Sequence, residues 1–248
     1  MLNRDQPARI GIVLYDGVEP IDLGGTLGVI SMASRLLPGL SATTIAEHAG
    51  PVRCAGGLTV LAAHGFGDGS LRASFAASPG ESGGDSGEPV GGAVDRTSGG
   101  ASHLDSAYDA IVVTGGPGWL AQSQNVAMLA FLRALNVGLI ASVCTGALIL
   151  GAAGLLDGCR ATTRRTAIGA ETQAPLAILV RMGAQATVAQ IVDTGGPITG
   201  GGVSLAHDLT LHLIGRLYGE AARDDVARLI EYDRAFAANR AALGIVVE

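Results

Sequence analysis

The sequence predicts an α/β fold in which a mostly parallel sheet carries helices on both faces, in a flavodoxin-like sandwich. Short runs of β-branched residues alternate along the chain with segments whose apolar residues recur at helical spacing. This alternation is typical of parallel sheets covered by helices. Hydrophobic residues make up 48% of the chain and aromatic residues only 4%, so the core must consist of small aliphatic side chains that allow close packing of helix on sheet.

The first part of the chain predicts two strands, one helix and a small hairpin. The run RIGIVLY is rich in β-branched residues, as a buried strand requires. Leu27, Ile30 and Leu37 recur at helical spacing, and Pro38-Gly39 ends that helix. The predicted elements are strands 9–15 and 42–47, helix 26–37, and a hairpin around residues 56–61.

The rest of the chain continues the alternation. Each predicted strand is a short apolar run, and each predicted helix has an apolar stripe or a terminal signal such as Pro175 at its start and Gly183 at its end. The predicted strands are 110–114, 139–143 and 187–192, and the predicted helices are 125–135, 146–156, 175–183, 205–218 and 224–236.

Residues 78–100 differ in composition from the rest of the chain, because Gly, Ser and Pro supply most of them and their apolar residues show no periodicity. A linker between two domains would need an independent core before it, and about 77 residues are marginal for that. We therefore expect a flexible surface insertion within a single domain that spans residues 1–248.

Charge and composition exclude several classes of protein. The net charge is −6, which argues against a nucleic-acid partner. All 16 basic residues are arginine, so a Schiff-base lysine, a pyridoxal-phosphate enzyme and a P-loop lysine are excluded together.

The cysteines and the N-terminus predict a cytoplasmic protein. Three widely spaced cysteines fit a reducing compartment better than a disulfide framework. Residues 1–8 are polar and lack the apolar core of a signal peptide. Residues 137–156 carry no charge and are long enough to cross a bilayer, but the glycines, Ser142 and Cys144 within them favour a strand, a tight turn and a helix, so no membrane partner is expected.

Three features fall where predicted strands end, which is where open α/β sheets bind ligands. Asp22 follows the first strand and precedes its helix. Gly115-Gly116 follows the strand 110–114. Cys144 stands between a strand and a helix, as a nucleophile elbow does. The sequence therefore predicts a site to which all three contribute.

Cys144 is the candidate nucleophile. Free N–H groups and the dipole at a helix N-terminus stabilise a thiolate, so we expect the pKa of this thiol to be lowered. The alternative is a buried cysteine that acts as a small hydrophobic residue. Cys54 and Cys159 lack the strand-to-helix context, and for them the structural interpretation is favoured.

Asp22 is the candidate acid. It lies between Ile21 and Leu23, and burial there would raise its carboxyl pKa into the range where it can donate a proton near neutral pH. An N-cap of the following helix is an equally good interpretation. Glu19 is a weaker candidate for the same role.

The other polar motifs are weaker evidence for a functional site. Gly115 and Gly116 let backbone N–H groups approach a ligand, as an oxyanion site requires. His207 and His212 are five residues apart, so on a helix they face different ways, and no metal site is expected. Arg164-Arg165 could bind an anion, but a solvated turn is the favoured interpretation.

These motifs together resemble the ThiJ/PfpI superfamily, whose fold is that of class I glutamine amidotransferases. The similarity extends over nearly the whole chain, and ASVCTGA preceded by a TGGPG turn is its specific part. The resemblance implies Cys144 as nucleophile, Asp22 as its acidic partner, and backbone N–H groups near Gly116 and Thr145 as stabilisers of negative charge. It also implies a homodimer, a small-molecule substrate and no cofactor.

Within the superfamily, Asp22 and Cys144-Thr145 are similar to the isonitrile hydratase branch and to the sensor domains of some AraC-type regulators. Relatives usually have Pro where this chain has Thr26, and many have His where it has Arg164. The resemblance implies a lyase that hydrates an isonitrile to an N-substituted formamide. The alternatives are a cofactor-independent glyoxalase or deglycase acting on small 2-oxoaldehydes, and a non-enzymatic small-molecule sensor.

Overall fold

A parallel β-sheet organises the protein in the computed structural model, which describes residues 1–68, 108–135 and 137–247. In these residues eight strands form one sheet, in the order β12-β10-β11-β7-β6-β1-β2-β5. Its pairings are parallel except that between β10 and β11, which is antiparallel. The strands of this sheet are β1 (Ala8–Val13), β2 (Leu40–Ala46), β5 (His64–Gly65), β6 (Ala110–Val113), β7 (Leu139–Ser142), β10 (Ile191–Asp193), β11 (Ile198–Gly200) and β12 (Ile245–Val247).

Two small ribbons accompany the main sheet. One is the antiparallel hairpin of β3 (Gly50–Arg53) and β4 (Thr59–Ala62), which confirms the hairpin predicted around residues 56–61. The other is the parallel pair of β8 (Arg160–Ala161) and β9 (Gln185–Ala186).

Helices form two groups around the sheet. One group is formed by α1, α6 and α7, which pack together, and in the other α2, α3 and α5 each contact α4. The mostly parallel α/β sandwich is therefore confirmed. The helices are α1 (Pro20–Ala33), α2 (Trp119–Gln122), α3 (Val126–Arg133), α4 (Gly146–Ala152), α5 (Pro175–Arg181), α6 (Ala206–Tyr218), α7 (Glu220–Leu229) and α8 (Asp233–Leu243).

Part of the core lies between the sheet and α4. Every residue from Gly146 to Gly151 is buried, and Leu148, Ile149 and Leu150 are fully so. Gly146 permits this packing, because a Cβ there would come within 2.2 Å of the Val113 carbonyl oxygen on β6. The helix that follows Cys144 is thus fixed against the centre of the sheet.

The helix predicted over residues 26–37 is α1, which begins six residues earlier, at Pro20. A proline with its fixed φ is suited to a first helical turn, and its missing N–H costs nothing there. Asp22 consequently lies in the first turn of α1, and its predicted place ahead of the helix was wrong.

Two other predicted elements were wrong in extent. Residues 187–192 do not form one strand, because β9 ends at Ala186 and β10 begins at Ile191 in a different sheet. The helix predicted over residues 224–236 is divided between α7 and α8, and Glu231 at the break has φ 56°. The strands β11 and β12 were not predicted.

The predicted insertion at residues 78–100 lies outside the described residues, so it stays a prediction. In the part of the chain that the structure describes, no helix has the length and apolar character needed to cross a membrane.

Candidate active site

Cys144 occupies the sharp turn between β7 and α4, as predicted. Its φ is 52°, a left-handed conformation that is uncommon for a residue with a Cβ and that costs free energy. Two hydrogen bonds hold the turn: the Cys144 N–H donates to the Gly201 carbonyl oxygen at 3.1 Å, and the Thr163 hydroxyl donates to the Cys144 carbonyl oxygen at 2.6 Å. The side chain is nearly buried, with 3% of the residue exposed.

Asp22 brings a carboxyl group from α1 to the same place. The residue is fully buried, and its carboxyl interacts with the Cys144 thiol. Its Oδ2 accepts a hydrogen bond from the Gly115 N–H at 3.0 Å, whereas Oδ1 has no hydrogen-bond partner among the described residues. A buried polar atom without a partner is uncommon, and a catalytic role is one recognised reason for it.

Asp22 does not cap α1. The N-cap residue is Glu19, and no side chain provides a cap hydrogen bond there. Of the two interpretations that the sequence left open for Asp22, the helix cap was therefore wrong.

Burial sets the proton affinity of both groups. It raises the pKa of Asp22 to about 7, against the opposing effect of the Gly115 N–H. Burial, and then the negative charge of Asp22, raise the pKa of the Cys144 thiol to about 12. The expected lowering by the helix N-terminus was wrong, because desolvation outweighs the hydrogen bond from the Thr145 N–H.

The two raised pKa values describe a pair that holds one proton between pH 7 and pH 12. In that range the resting form is a neutral thiol beside an ionised carboxylate. A Cys144 thiolate forms in that range only when the proton passes to Asp22.

Only one of the three predicted backbone stabilisers faces the sulfur with a free N–H. The Gly115 N–H is occupied by Asp22, and the Gly116 N–H donates to the Thr145 hydroxyl at 2.9 Å. The Thr145 N–H is directed at the Cys144 sulfur. Gly115 and Gly116 therefore position Asp22 and Thr145, which differs from the oxyanion role that was expected of them.

Only glycine fits at positions 115 and 116, because neighbouring atoms approach both Cα atoms closely. A Cβ on Gly115 would lie 2.7 Å from Asp22 Oδ2 and 2.6 Å from the Thr145 nitrogen. Gly116 has φ 144°, and a Cβ there would lie 2.3 Å from the Gly17 carbonyl oxygen.

Glu19 lies at the border of the site. Its N–H donates to the Gly115 carbonyl oxygen at 2.9 Å, and its charge raises the pKa of Asp22 and of the Cys54 thiol. It is half-buried, whereas Asp22 is fully buried. Glu19 thus acts on the site through its charge, while Asp22 supplies the carboxyl beside the sulfur.

Arg164 was expected in a solvated turn, and that interpretation was wrong. The side chain is 7% exposed and forms an ion pair with Glu171 at 2.5 Å. Its positive charge lowers the pKa of both Asp22 and Cys144, although burial outweighs this effect. The one sequence signal for this pairing was Glu171, seven residues further along the same loop.

The histidines lie in other surroundings. His212 pairs with Asp193 at 2.6 Å, and His207 contacts the Ser204 carbonyl oxygen at 3.0 Å. His103 lies outside the described residues. Within those residues no three His, Cys, Asp or Glu side chains are grouped so that they could hold a metal ion.

Two curated proteins match this chain, over different lengths. The chain is 30% identical over 159 residues to an uncharacterized protein from the cpoL 5′ region of Streptomyces lividans, covering 63% of this chain and 87% of that protein. It is 36% identical over 126 residues to isonitrile hydratase from Pseudomonas putida, covering 50% of this chain and 52% of the enzyme. The chain thus spans about half the length of the hydratase.

Solved structures share the fold. A ThiJ/PfpI family protein from Pseudomonas syringae superposes with a TM-score of 0.69 at 24% identity, covering 92% of this chain and 76% of that one. DJ-1beta from Drosophila melanogaster superposes with a TM-score of 0.65 at 16% identity, covering 91% of this chain and 98% of that one. The model of the DJ-1/PfpI family matches residues 8–216, which include both Asp22 and Cys144. The chain therefore belongs to the DJ-1/PfpI family.

Proposed function

We propose that the protein is an isonitrile hydratase-like enzyme that converts R–NC into an N-substituted formamide. The observation that carries the proposal is the buried pair of Asp22 and Cys144, whose single proton can move between sulfur and carboxylate. An isonitrile needs both a nucleophile and a proton at its terminal carbon. The 36% identity to isonitrile hydratase from Pseudomonas putida over half of the chain supports this choice of substrate.

In the first half-reaction the Cys144 sulfur attacks the terminal carbon and forms a C–S bond. The thiol proton passes to Asp22, and Asp22 delivers it to the same carbon. The product is a thioimidate, R–N=CH–S–Cys144, and Asp22 is left ionised. No proton is gained from or lost to solvent in this step.

In the second half-reaction ionised Asp22 takes a proton from water as the hydroxyl adds to the thioimidate carbon, and Asp22 then passes this proton to the nitrogen. The C–S bond of the tetrahedral adduct then breaks to release the formamide. The Thr145 N–H stabilises the departing sulfur, which regains its proton from the hydroxyl group of the adduct as the formamide carbonyl forms. The net reaction consumes one water and regenerates both side chains.

The test is to incubate the wild type and Cys144→Ala with an aryl isonitrile and to measure formamide. Formamide production that disappears in Cys144→Ala supports the proposal. A second incubation with methylglyoxal distinguishes the alternatives: Cys144-dependent lactate in place of formamide would favour the glyoxalase, and neither product would favour the sensor.

The homodimer and the cytoplasmic location stay predictions from the resemblance and the composition. Sedimentation of the purified chain, and its distribution between cell fractions, would test them.

A further inference from the structure

A cavity of about 290 Å³ lies beside the nucleophile turn. Its walls come from the loop after β8, from the turn after β11 and from α8. Among the residues that line it are Thr163, Arg164, Arg165, Gly201, Ser204 and Asn239. The volume is close to the lower limit for small-molecule sites, so it suits a small ligand.

The cavity adjoins Cys144 through two of its lining residues. Gly201 accepts the Cys144 N–H, and Thr163 donates to the Cys144 carbonyl oxygen. The same walls are in tight contact with each other, since a Cβ on Gly202 would lie 2.6 Å from the Arg164 Cβ. A molecule in the cavity therefore lies next to the segment that carries the nucleophile.

The lining of the cavity is positively charged in a chain whose net charge is −6. It includes two arginines and, in the described part of the chain, neither aspartate nor glutamate. Arg164 is neutralised by Glu171. Arg165 is exposed, and its side chain makes no ion pair or hydrogen bond with the residues that the structure describes. The cavity thus offers one cation that is available to a ligand.

Apolar side chains lie beside that cation. Ile168 and Val188 line the cavity and are 59% and 48% exposed, which is high for residues of their type. A ligand that covers them and also reaches Arg165 must combine an aliphatic group with an anion.

We propose that the cavity binds an organic carboxylate with a short aliphatic group, and that Arg165 selects it by pairing with the carboxylate. Given the proposed function, on which this choice of reacting group rests, the substrate is an isocyano carboxylic acid that binds in this cavity beside the turn of Cys144. A carboxylate is a planar acceptor that matches the guanidinium of arginine with two parallel hydrogen bonds.

Binding tests the inference without turnover. Cys144→Ala is titrated with N-formylleucine, the expected product, and with its methyl ester, by calorimetry. The free acid should bind about 10- to 100-fold more tightly than the ester, as expected when one charged hydrogen-bonded partner is lost. Adding Arg165→Ala should abolish this difference, and Arg165→Lys should retain part of it. Arg35→Ala, at an exposed arginine beyond the other end of α1, should keep the difference unchanged.

Kinetics then separates this inference from the proposed function. With 2-isocyano-4-methylpentanoate and its methyl ester, the ratio of the two KM values should favour the acid in the wild type and approach one in Arg165→Ala. If the acid and ester isonitriles are both hydrated with equal KM and Arg165→Ala changes neither, the inference is overturned while the hydratase stands. Arg165-dependent binding of the acid without any hydration would overturn the hydratase and support the inference.

Discussion

Gly115 lies directly against Asp22: its N–H donates to the carboxyl Oδ2 at 3.0 Å, and a Cβ in its place would lie 2.7 Å from the same oxygen. The Thr145 nitrogen would be 2.6 Å from that Cβ. Gly115 therefore lies against both the Asp22 carboxyl and the Thr145 nitrogen, and any side chain in its place must displace one of them.

Gly115→Ala should lower kcat by about 10- to 100-fold, because the added methyl group must displace the Asp22 carboxyl or the Thr145 nitrogen, and small misplacements of reacting groups are costly. The measurement is kcat together with the melting temperature. The matched control is Gly28→Ala on α1, where a Cβ meets nothing within 4 Å. That change should leave kcat as it is and stabilise the helix by about 0.5–1 kcal/mol. A Gly115→Ala variant with wild-type kcat would contradict the tight placement of the acid.

The reaction should have a single rising limb in its pH profile. With the pKa of Asp22 at about 7, protonation of the carboxylate below that pH removes the base that accepts the thiol proton. The value of kcat/KM should therefore rise tenfold per pH unit below about 7 and be level above it. No falling limb is expected up to pH 10, because the thiol keeps its proton to about pH 12. A profile that falls between pH 7 and pH 10 would contradict this order of proton affinities.

The fold and the position of Cys144 in a sharp turn could be predicted because they depend on local patterns. A β-branched run, a cysteine and a glycine that starts an apolar helix identify the turn at Cys144, and the structure places a strained φ there. The start of α1 was missed because its apolar residues occur all round the helix, so periodicity gave no boundary; Pro20 was the usable signal.

The electrostatics of the site could not be predicted locally. The pKa of the Cys144 thiol depends on burial under the whole fold and on Asp22, which is 122 positions earlier in the chain. Arg164 was assigned to solvent because paired arginines usually are, whereas Glu171 and the packing against Gly202 bury it. Both errors concern desolvation, which a sequence pattern does not report.

Cysteine labelling should follow exposure. Cys144 and Cys54 are each 3% exposed and have raised thiol pKa values, while Cys159 is partly exposed. Iodoacetamide at pH 7 should therefore alkylate Cys159 first, contrary to the faster labelling that a helix N-terminal thiolate at Cys144 would give. Peptide mass spectrometry over time gives the three rates, and Cys159→Ser should remove the fast phase. Fastest labelling at Cys144 would show that the thiol is ionised in the resting protein.

Asp22→Asn should separate catalysis from stability. Asn keeps an oxygen that can accept the Gly115 N–H but cannot carry the shared proton, so turnover should fall by roughly 10²–10⁴.

The stability of the Asp22→Asn variant should change in the opposite direction. The folded pKa of Asp22, about 7, exceeds its ordinary value of 3.8, so the folded state binds the proton more tightly and the wild type loses stability as pH rises from about 4 to 7. The variant lacks this loss. It should match the wild type near pH 4 and exceed it above pH 7, by up to about 4 kcal/mol at about 1.4 kcal/mol per pKa unit. Urea unfolding of both proteins at pH 4.5 and pH 8 measures the difference, and Asp22→Glu, which keeps the carboxyl, should retain part of the activity. If the two proteins differ equally at both pH values, the pKa of Asp22 is not raised and the shared-proton mechanism fails.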